Sequence, residues 1–162
     1  MSRGVSGAGR PQGLLLRAVR APLWLYRQDL GSLLGKRFLY LAHQGRLTGL
    51  RRETVLEVAR LDHDAGEAIV IAVWGNRAGW VRNLRAGRAL EVRIGHLRFA
   101  EPEHRFLSAD ECRAALVAYR EAYPVTWRLL ASLVPLPRDP KNDDLGVVRA
   151  VAFRPHVLAD TG

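Results

Sequence analysis

Between residues 38 and 100 the chain repeats short apolar runs separated by turns, and this pattern restricts the fold more than any other feature. The runs have the length and composition of buried strands, and they lie at residues 38–42, 54–59, 68–74, 89–94, 97–100 and, further along, 147–153. Most of the connections are too short for a crossover helix, so consecutive strands are expected to pair antiparallel. The sequence therefore predicts an α+β fold with about six mostly antiparallel strands, arranged as a sheet or small barrel.

Helices are predicted on the outside of this sheet. Residues 78–86 have helical character and are followed by Gly87, a residue type that commonly ends helices. Ser108 and Glu111 have the spacing of a capping box, which predicts a helix to about residue 123. Pro124 suits the first position of a further helix that runs to about residue 134.

Positive charge is concentrated in the first third of the chain. Residues 1–60 hold 11 basic and 3 acidic side chains, of 25 and 16 in the whole chain. Residues 1–12 are small, polar and Gly-rich, which predicts a disordered tail. Residues 13–36 are apolar with Arg17, Arg20 and Arg27 on one helical face, which predicts an amphipathic helical segment. Such a segment either contacts an anionic membrane peripherally or packs on the domain.

Several classes of function are excluded by composition and motifs. A single cysteine, Cys112, permits no intrachain disulfide and no cysteine-based metal cluster, and the five histidines are widely spaced, so no metal site is expected. No apolar run reaches the roughly 20 residues of a membrane span, and no signal peptide is evident, which favours the cytoplasm. No nucleic-acid-binding motif accompanies the net charge of +9, so a nucleic-acid partner is not expected.

Residues 45–52 are interpreted as an anion-binding turn between two strands. The turn is bracketed by Gly45 and Gly49, which allow a ligand to approach the backbone N–H groups closely. Arg46, Arg51 and Arg52 add guanidinium groups that match phosphate or carboxylate. The alternative is a solvated hairpin tip.

A second cluster lies at residues 74–83, where a strand ends and a helix begins. Trp74 and Trp80 offer flat apolar walls for a ring system, although tryptophans also commonly fill cores. Asn83 has low helix propensity, which suggests that its amide binds something specific. No catalytic triad or nucleotide-binding glycine loop is present, so the catalytic side chains remain unknown and a cofactor is expected to carry the chemistry.

Together these segments resemble the deazaflavin (coenzyme F420)-dependent nitroreductase and quinone reductase family. The resemblance rests on Arg37-Phe-Leu-Tyr-Leu, Gly45-Arg-x-Thr-Gly, Arg52-x-Thr-Val-Leu-Glu and Trp74-Gly followed by Ala-Gly-Trp80-Val-Arg-Asn83-Leu-Arg-Ala-Gly87. It implies a split β-barrel related to flavin-binding barrels, here over residues 37–158. It also implies an oxidoreductase that passes a hydride from the reduced deazaflavin to a quinone, a nitro compound or another organic acceptor.

Carried over by position, the resemblance implies two groups of cofactor-binding residues. Arg46, Thr48, Gly49 and Arg52 are expected near the phosphate and acidic tail, and Trp74, Gly75, Trp80 and Asn83 around the ring and its linker. Leu47 replaces the lysine usual in the family, and Arg51 is expected to compensate for that cation. We expect the acceptor pocket to be lined by Trp24, Tyr26, Tyr123 and Trp127.

Two alternatives stay open on the sequence alone. The same barrel can serve an FMN-dependent reductase. The same arginines and apolar walls can also serve a non-catalytic binder or carrier of an anionic cofactor or fatty acid.

Overall fold

The computed structural model describes residues 35–155. The predictions for residues 1–12, and for all but the last two residues of the segment 13–36, lie outside the described residues. The strands are β1 (Phe38–Gln44), β2 (Arg51–Asp62), β3 (Glu67–Ala72), β4 (Ala89–Ile94), β5 (Leu97–Ala100), β6 (Glu103–Phe106) and β7 (Arg149–Arg154). The helices are α1 (Gly79–Ala86), α2 (Ala109–Ala122) and α3 (Pro124–Leu133), with a short 3₁₀ helix (Gly75–Arg77) before α1.

All seven described strands form one antiparallel sheet in the order β5-β4-β1-β2-β3-β7-β6. Its two edge strands, β5 and β6, are joined by Glu101 and Pro102 alone, so the edges lie within a few residues of each other. A sheet can meet this condition only by curling on itself, which produces a split barrel. The fold class predicted from the sequence is therefore confirmed.

Two apolar cores lie on opposite faces of the curled sheet. The inner core is filled by residues of the strands, with Leu84 and Trp80 contributed by α1. The outer core lies between the sheet and the helices α2 and α3, where Leu116, Tyr119 and Trp127 pack against β3 and β7 residues. The capping box at the start of α2 is present, since Ser108 Oγ accepts from Glu111 N (3.2 Å) and Glu111 Oε2 accepts from Ser108 N (2.9 Å).

The structure has one strand more than the sequence predicted. The additional strand is β6, which has the polar sequence Glu-His-Arg-Phe and lies at a sheet edge. An edge strand with charged side chains lacks the apolar alternation by which strands are recognised.

Strand β2 is also longer than predicted, and it begins at Arg51 instead of residue 54. The connection between β1 and β2 is therefore residues 45–50, called the glycine turn below. Arg51 and Arg52 belong to a strand and not to this turn, and successive side chains on a strand point to opposite faces.

Candidate functional site

The glycine turn is closed by its own backbone. Gly45 N donates to Leu50 O and Gly49 N donates to Gly45 O, both at 2.8 Å, and Thr48 Oγ1 accepts from Leu50 N (3.3 Å). Gly49 has a φ of 69°, a left-handed conformation that favours glycine. Within the described part of the chain, the N–H groups of Leu47 and Thr48 at the tip make no hydrogen bond. The turn thus presents free N–H donors at its tip.

Asn83 of α1 anchors this turn to the barrel. Its Oδ1 accepts from Arg46 N (3.2 Å) and from Arg46 Nη1 (3.0 Å), and its Nδ2 lies 3.1 Å from His43 Nδ1. Both His43 and Asn83 are buried. The sequence suggested that the Asn83 amide binds something specific. In the structure this amide binds the glycine turn and strand β1.

Two of the predicted arginines converge on the glycine turn. Arg46 is held there by Asn83, and the Arg52 Nε lies 3.5 Å from where a Cβ on Gly45 would stand. Among residues 35–155 neither guanidinium is paired with a carboxylate. The turn therefore combines free N–H groups with two uncompensated positive charges, which is an arrangement suited to an anion.

Arg51 is not brought together with Arg46 and Arg52. Its side chain lies on the other face of the sheet, where Nη2 donates to Glu91 Oε2 (2.7 Å) and to Tyr40 Oη (3.1 Å). The reason is the strand alternation described above, which sends neighbouring side chains to opposite faces. The expected compensation for Leu47 by Arg51 has no geometric support, and Leu47 is itself 84% exposed at the turn.

An apolar cavity of about 340 Å³ lies between strands β2 and β3, the start of α1, and the helices α2 and α3. Its aromatic walls include Trp74, Trp80 and Trp127, three residues that the sequence analysis singled out. Aliphatic side chains complete it, among them Val55, Leu56, Ile71, Leu116, Leu130 and Leu136. A cavity of this volume and composition is typical of sites for small organic molecules.

The polar wall of the cavity is formed by Glu57 of β2 and Tyr119 of α2. Tyr119 Oη donates to Glu57 Oε1 (2.7 Å), which also accepts from Arg37 Nε (3.1 Å). Burial and the neighbouring carboxylate raise the pKa of Tyr119, so its hydroxyl keeps its proton at neutral pH. The cavity thus contains a protonated phenol beside a carboxylate.

Two further residues that the sequence predicted for the site, Tyr123 and Gly75, are described by the structure but do not line this cavity. Tyr123 packs against Tyr119, with ring centroids 5.2 Å apart, and carries the Arg37 guanidinium 4.6 Å above its own ring. Gly75 packs against the backbone, because a Cβ there would lie 1.8 Å from Val147 O. Trp24 and Tyr26 lie outside the described residues.

Helix α1 and strand β2 connect the cavity with the glycine turn. Trp80 in the cavity wall and Asn83 at the turn are three residues apart on α1, so their side chains occupy the same face. Along β2, Arg52 stands at the turn and Glu57 at the cavity, about 16 Å apart along the strand and with side chains on opposite faces. Helix α1 is therefore the element whose side chains reach both the cavity and the turn.

Three residues of the site escaped the sequence analysis, namely His43, Glu57 and Tyr119. Tyr119 precedes Tyr123 and Trp127 by four and eight positions, so an aromatic stripe at helical spacing was visible in the sequence. His43 carried no such signal, and Glu57 was visible only as the last residue of the Arg52-x-Thr-Val-Leu-Glu motif. The roles of both residues depend on cross-strand and helix contacts.

Comparison with known proteins gives one family and a set of similar folds. A family model described as F420H(2)-dependent quinone reductase matches residues 18–126. A solved F420-H2 dependent reductase (FDR-A) is 15% identical with a TM-score of 0.51, and the match covers 74% of this chain and 96% of that one. A structure described as a domain-swapped dimer is 17% identical with a TM-score of 0.54 and coverage of 90% and 100%.

A protein of unknown function from Agrobacterium tumefaciens is 18% identical with a TM-score of 0.53, and the match covers 93% of this chain and 59% of that one. At these identities the structures show a shared fold. No curated protein matches the sequence. In the part of the chain that the structure describes, no helix is long and apolar enough to cross a bilayer, and no group of three potential metal ligands occurs.

Proposed function

Because this chain belongs to the F420H(2)-dependent quinone reductase family, we propose that it transfers a hydride from reduced coenzyme F420 to a quinone, a nitro compound or another small organic acceptor. Family membership makes it an oxidoreductase that uses reduced F420. The acceptor, the residues that hold each molecule and the cellular setting are our proposal. The observation that carries it is the aromatic cavity linked by α1 to a turn with two uncompensated arginines.

The residues present fit such a coenzyme. F420 has an apolar tricyclic ring at one end and a phosphate with an acidic tail at the other. The free N–H groups of the glycine turn and the guanidinium groups of Arg46 and Arg52 are donors for the anionic end. Thr48 and Gly49 contribute by holding the turn in its observed shape.

The ring end is assigned to the aromatic cavity. Trp74 and Trp80 would bind the ring by stacking and exclude water from its surface. When bound, the coenzyme supplies a hydride from its C5 position. Asn83 and Gly75 act indirectly in this proposal, since Asn83 holds Arg46 and Gly75 lets the chain that carries Trp74 approach Val147.

The acceptor is assigned to the part of the cavity lined by α2 and α3. Trp127 supplies an apolar wall, and the Tyr119 hydroxyl, whose single proton is donated to Glu57 in this structure, would turn that proton to an acceptor oxygen when the acceptor binds. Tyr123 supports Tyr119 from behind. We retain Trp24 and Tyr26 as proposed pocket residues from the segment outside the described range.

We propose a cytoplasmic enzyme with peripheral contact to anionic membranes, from which an apolar acceptor could enter. The proposal rests on Arg17, Arg20 and Arg27 in the apolar segment 13–36, which precedes a catalytic domain at 37–158 and follows a disordered tail at 1–12. An exposed apolar stripe on α3 supports it, because Val125, Leu129 and Leu133 lie on one face beside the cavity. Leu130, one position from Leu129, lines the cavity itself.

The test is a parallel fluorescence titration of the full chain with oxidised F420 and with FMN, followed by turnover of reduced F420 with a quinone and with a nitroaromatic. We expect micromolar or tighter binding of F420, weaker binding of FMN, and oxidation of reduced F420 that depends on the acceptor. Binding of F420 without turnover would favour the carrier function. Binding of neither cofactor would contradict the proposal.

A further inference from the structure

The orientation of the Asn83 amide is determined by its partners. Arg46 approaches Asn83 with its backbone N–H and with Nη1, and both groups can only donate. The atom that faces Arg46 must therefore be the Asn83 oxygen, which leaves Nδ2 facing His43 Nδ1 at 3.1 Å. Since Nδ2 can only donate, His43 Nδ1 must be the acceptor and must carry no proton.

The surroundings of His43 favour this neutral form of the ring. Its exposure is 3%, and the charged groups that face it are Arg52, its cross-strand partner on β2, and Arg46 through Asn83. Strand β4 presents Ala89 opposite His43, and α1 presents the Asn83 amide. Burial and the charge of Arg52 lower the pKa of His43.

We propose that His43 is a positioning residue for cofactor binding, which fixes the Asn83 amide so that Arg46 is aimed at the anionic end of the cofactor. The inference rests on the proposed placement of that end at the glycine turn. His43 would not touch the cofactor. Its ring orients Asn83, and Asn83 holds both the backbone and the guanidinium of Arg46.

A pH-dependent affinity follows from this arrangement. Protonation of His43 Nδ1 would place its N–H group against the N–H group of Asn83 Nδ2, 3.1 Å away, with no acceptor between them. The Asn83 amide would then lose its fixed orientation, and Arg46 would lose its anchor. The affinity for F420 should then fall as the pH drops through the lowered pKa of His43, which lies below the ordinary histidine value of about 6.5. If His43 acted only as an additional positive charge near the turn, acidification would instead tighten binding.

The test uses two substitutions that separate the acceptor atom from the ring. His43→Asn keeps an acceptor, since its Oδ1 is bonded to Cγ as Nδ1 is in histidine, and it does not titrate. His43→Phe keeps the ring but removes the acceptor. We expect a 3- to 10-fold loss of F420 affinity for His43→Phe at pH 7.5, as for one lost hydrogen bond, and less than a 2-fold loss for His43→Asn. Only the wild type should weaken further as the pH is lowered from 7.5 through the pKa of His43.

A double-mutant cycle identifies the route of the effect. If His43 acts through Arg46, the effect of His43→Phe on the dissociation constant should be reduced in an Arg46→Ala background, which keeps only the backbone N–H bond to Asn83. Any of three results would overturn the inference. The losses in the double variant could be additive, the His43→Phe variant could bind F420 as the wild type does, or the affinity of the wild type could rise on acidification. Thermal unfolding of each variant checks that it is folded at the titration temperature.

The same titrations separate this inference from the proposed placement of the cofactor. A wild-type affinity that does not change in Arg46→Ala would contradict the placement of the anionic end at the turn. Loss in Arg46→Ala together with normal, pH-independent binding in His43→Phe would contradict only the role of His43.

Discussion

Some arginines of this protein are paired with carboxylates, and others have no carboxylate partner among the described residues. The buried Glu67 accepts from Arg105 through both oxygens, at 2.8 and 2.9 Å. The buried Glu91 binds three arginines on the outer face of the sheet, namely Arg51, Arg93 and Arg98. A buried carboxylate needs such partners, because an unpaired charge is costly away from water. Arg46 and Arg52 have no carboxylate among the described residues, which leaves them available to an external anion.

Arg46→Ala and Arg52→Ala should each weaken F420 binding by about 10- to 150-fold, because a charge-assisted hydrogen bond contributes about 1.5–3 kcal/mol. The rate at saturating cofactor should change little, since the lost contact is with the tail and not with the reacting ring. Fluorescence titration gives the affinity, and steady-state oxidation of reduced F420 gives the rate.

Arg60→Ala is the matched control, because Arg60 lies at the opposite end of the same strand and is exposed. Its affinity should stay within 2-fold of wild type. Leu47→Lys is the converse test, since a cation at the exposed tip of the turn should tighten binding. Equal affinities for wild type, Arg46→Ala and Arg52→Ala would remove the glycine turn from the cofactor site.

Tyr119→Phe should lower kcat/KM for the acceptor about 2- to 13-fold, with F420 affinity unchanged. The substitution removes the hydroxyl that we assign to the acceptor oxygen, and one hydrogen bond contributes about 0.5–1.5 kcal/mol. Tyr123→Phe is the control, because Tyr123 packs behind the cavity and does not line it. An effect on F420 affinity as large as that on the acceptor would place Tyr119 at the cofactor instead.

At the scale of elements, the sequence predicts the strands that are apolar and the helices that have caps. β1, β4 and α2 lie close to their predicted positions because burial and the Ser108–Glu111 pair mark them locally. The start of β2 could not be placed from sequence, because Arg51 and Arg52 look like turn residues and become strand residues only by pairing with Gln44 and His43. The site shows the same contrast between local and long-range signals. Its Trp cluster is local in the sequence and was predicted, whereas the Asn83 contacts join residues 37 and 40 positions apart and were not.

Gly75→Ala should destabilise the fold by about 3 kcal/mol or more. A Cβ at this position would lie 1.8 Å from Val147 O, and the φ of 49° is unfavourable for alanine. Equilibrium unfolding in urea measures the change. Gly79→Ala is the matched control, because a Cβ there meets nothing within 4 Å, and its free energy of unfolding should change by less than about 0.5 kcal/mol. Similar losses in both variants would contradict the packing argument.

At the scale of the whole molecule, the described helices leave one apolar face uncovered. Val125, Leu129 and Leu133 of α3 are 59–76% exposed, although Trp127 between them is buried. The same side of the domain carries Arg37, which donates to Thr126 Oγ1 of α3 (3.2 Å). The described residues therefore begin next to α3, the helix that carries this face.

The full-length protein should sediment with anionic vesicles at low salt and be released at high salt. Three basic residues contribute about 1 kcal/mol each near an anionic surface, and salt screens that attraction. Arg17→Glu, Arg20→Glu and Arg27→Glu in one chain should abolish the binding, whereas zwitterionic vesicles provide the lipid control. Protein that stays in the supernatant with anionic vesicles at low salt would exclude peripheral association through this segment.

The last described strand, β7, lies between β3 and β6 in the sheet, and this position determines the order in which the barrel can assemble. β7 pairs with β3 and with β6, so Ala68 meets Phe153 and Glu103 meets Arg154 across long stretches of chain. The hairpins β1–β2 and β2–β3 close much shorter loops and cost less chain entropy. The β1–β3 meander should therefore form in the folding transition state, and insertion of β7 should follow it.

In stopped-flow measurements Val58→Ala should mainly slow folding, while Val151→Ala should mainly accelerate unfolding; the reverse pattern would contradict this order. The barrel would thus stay open until its last strand arrives, and the outer core, to which Ala150 and Ala152 belong, would be completed only at that final step.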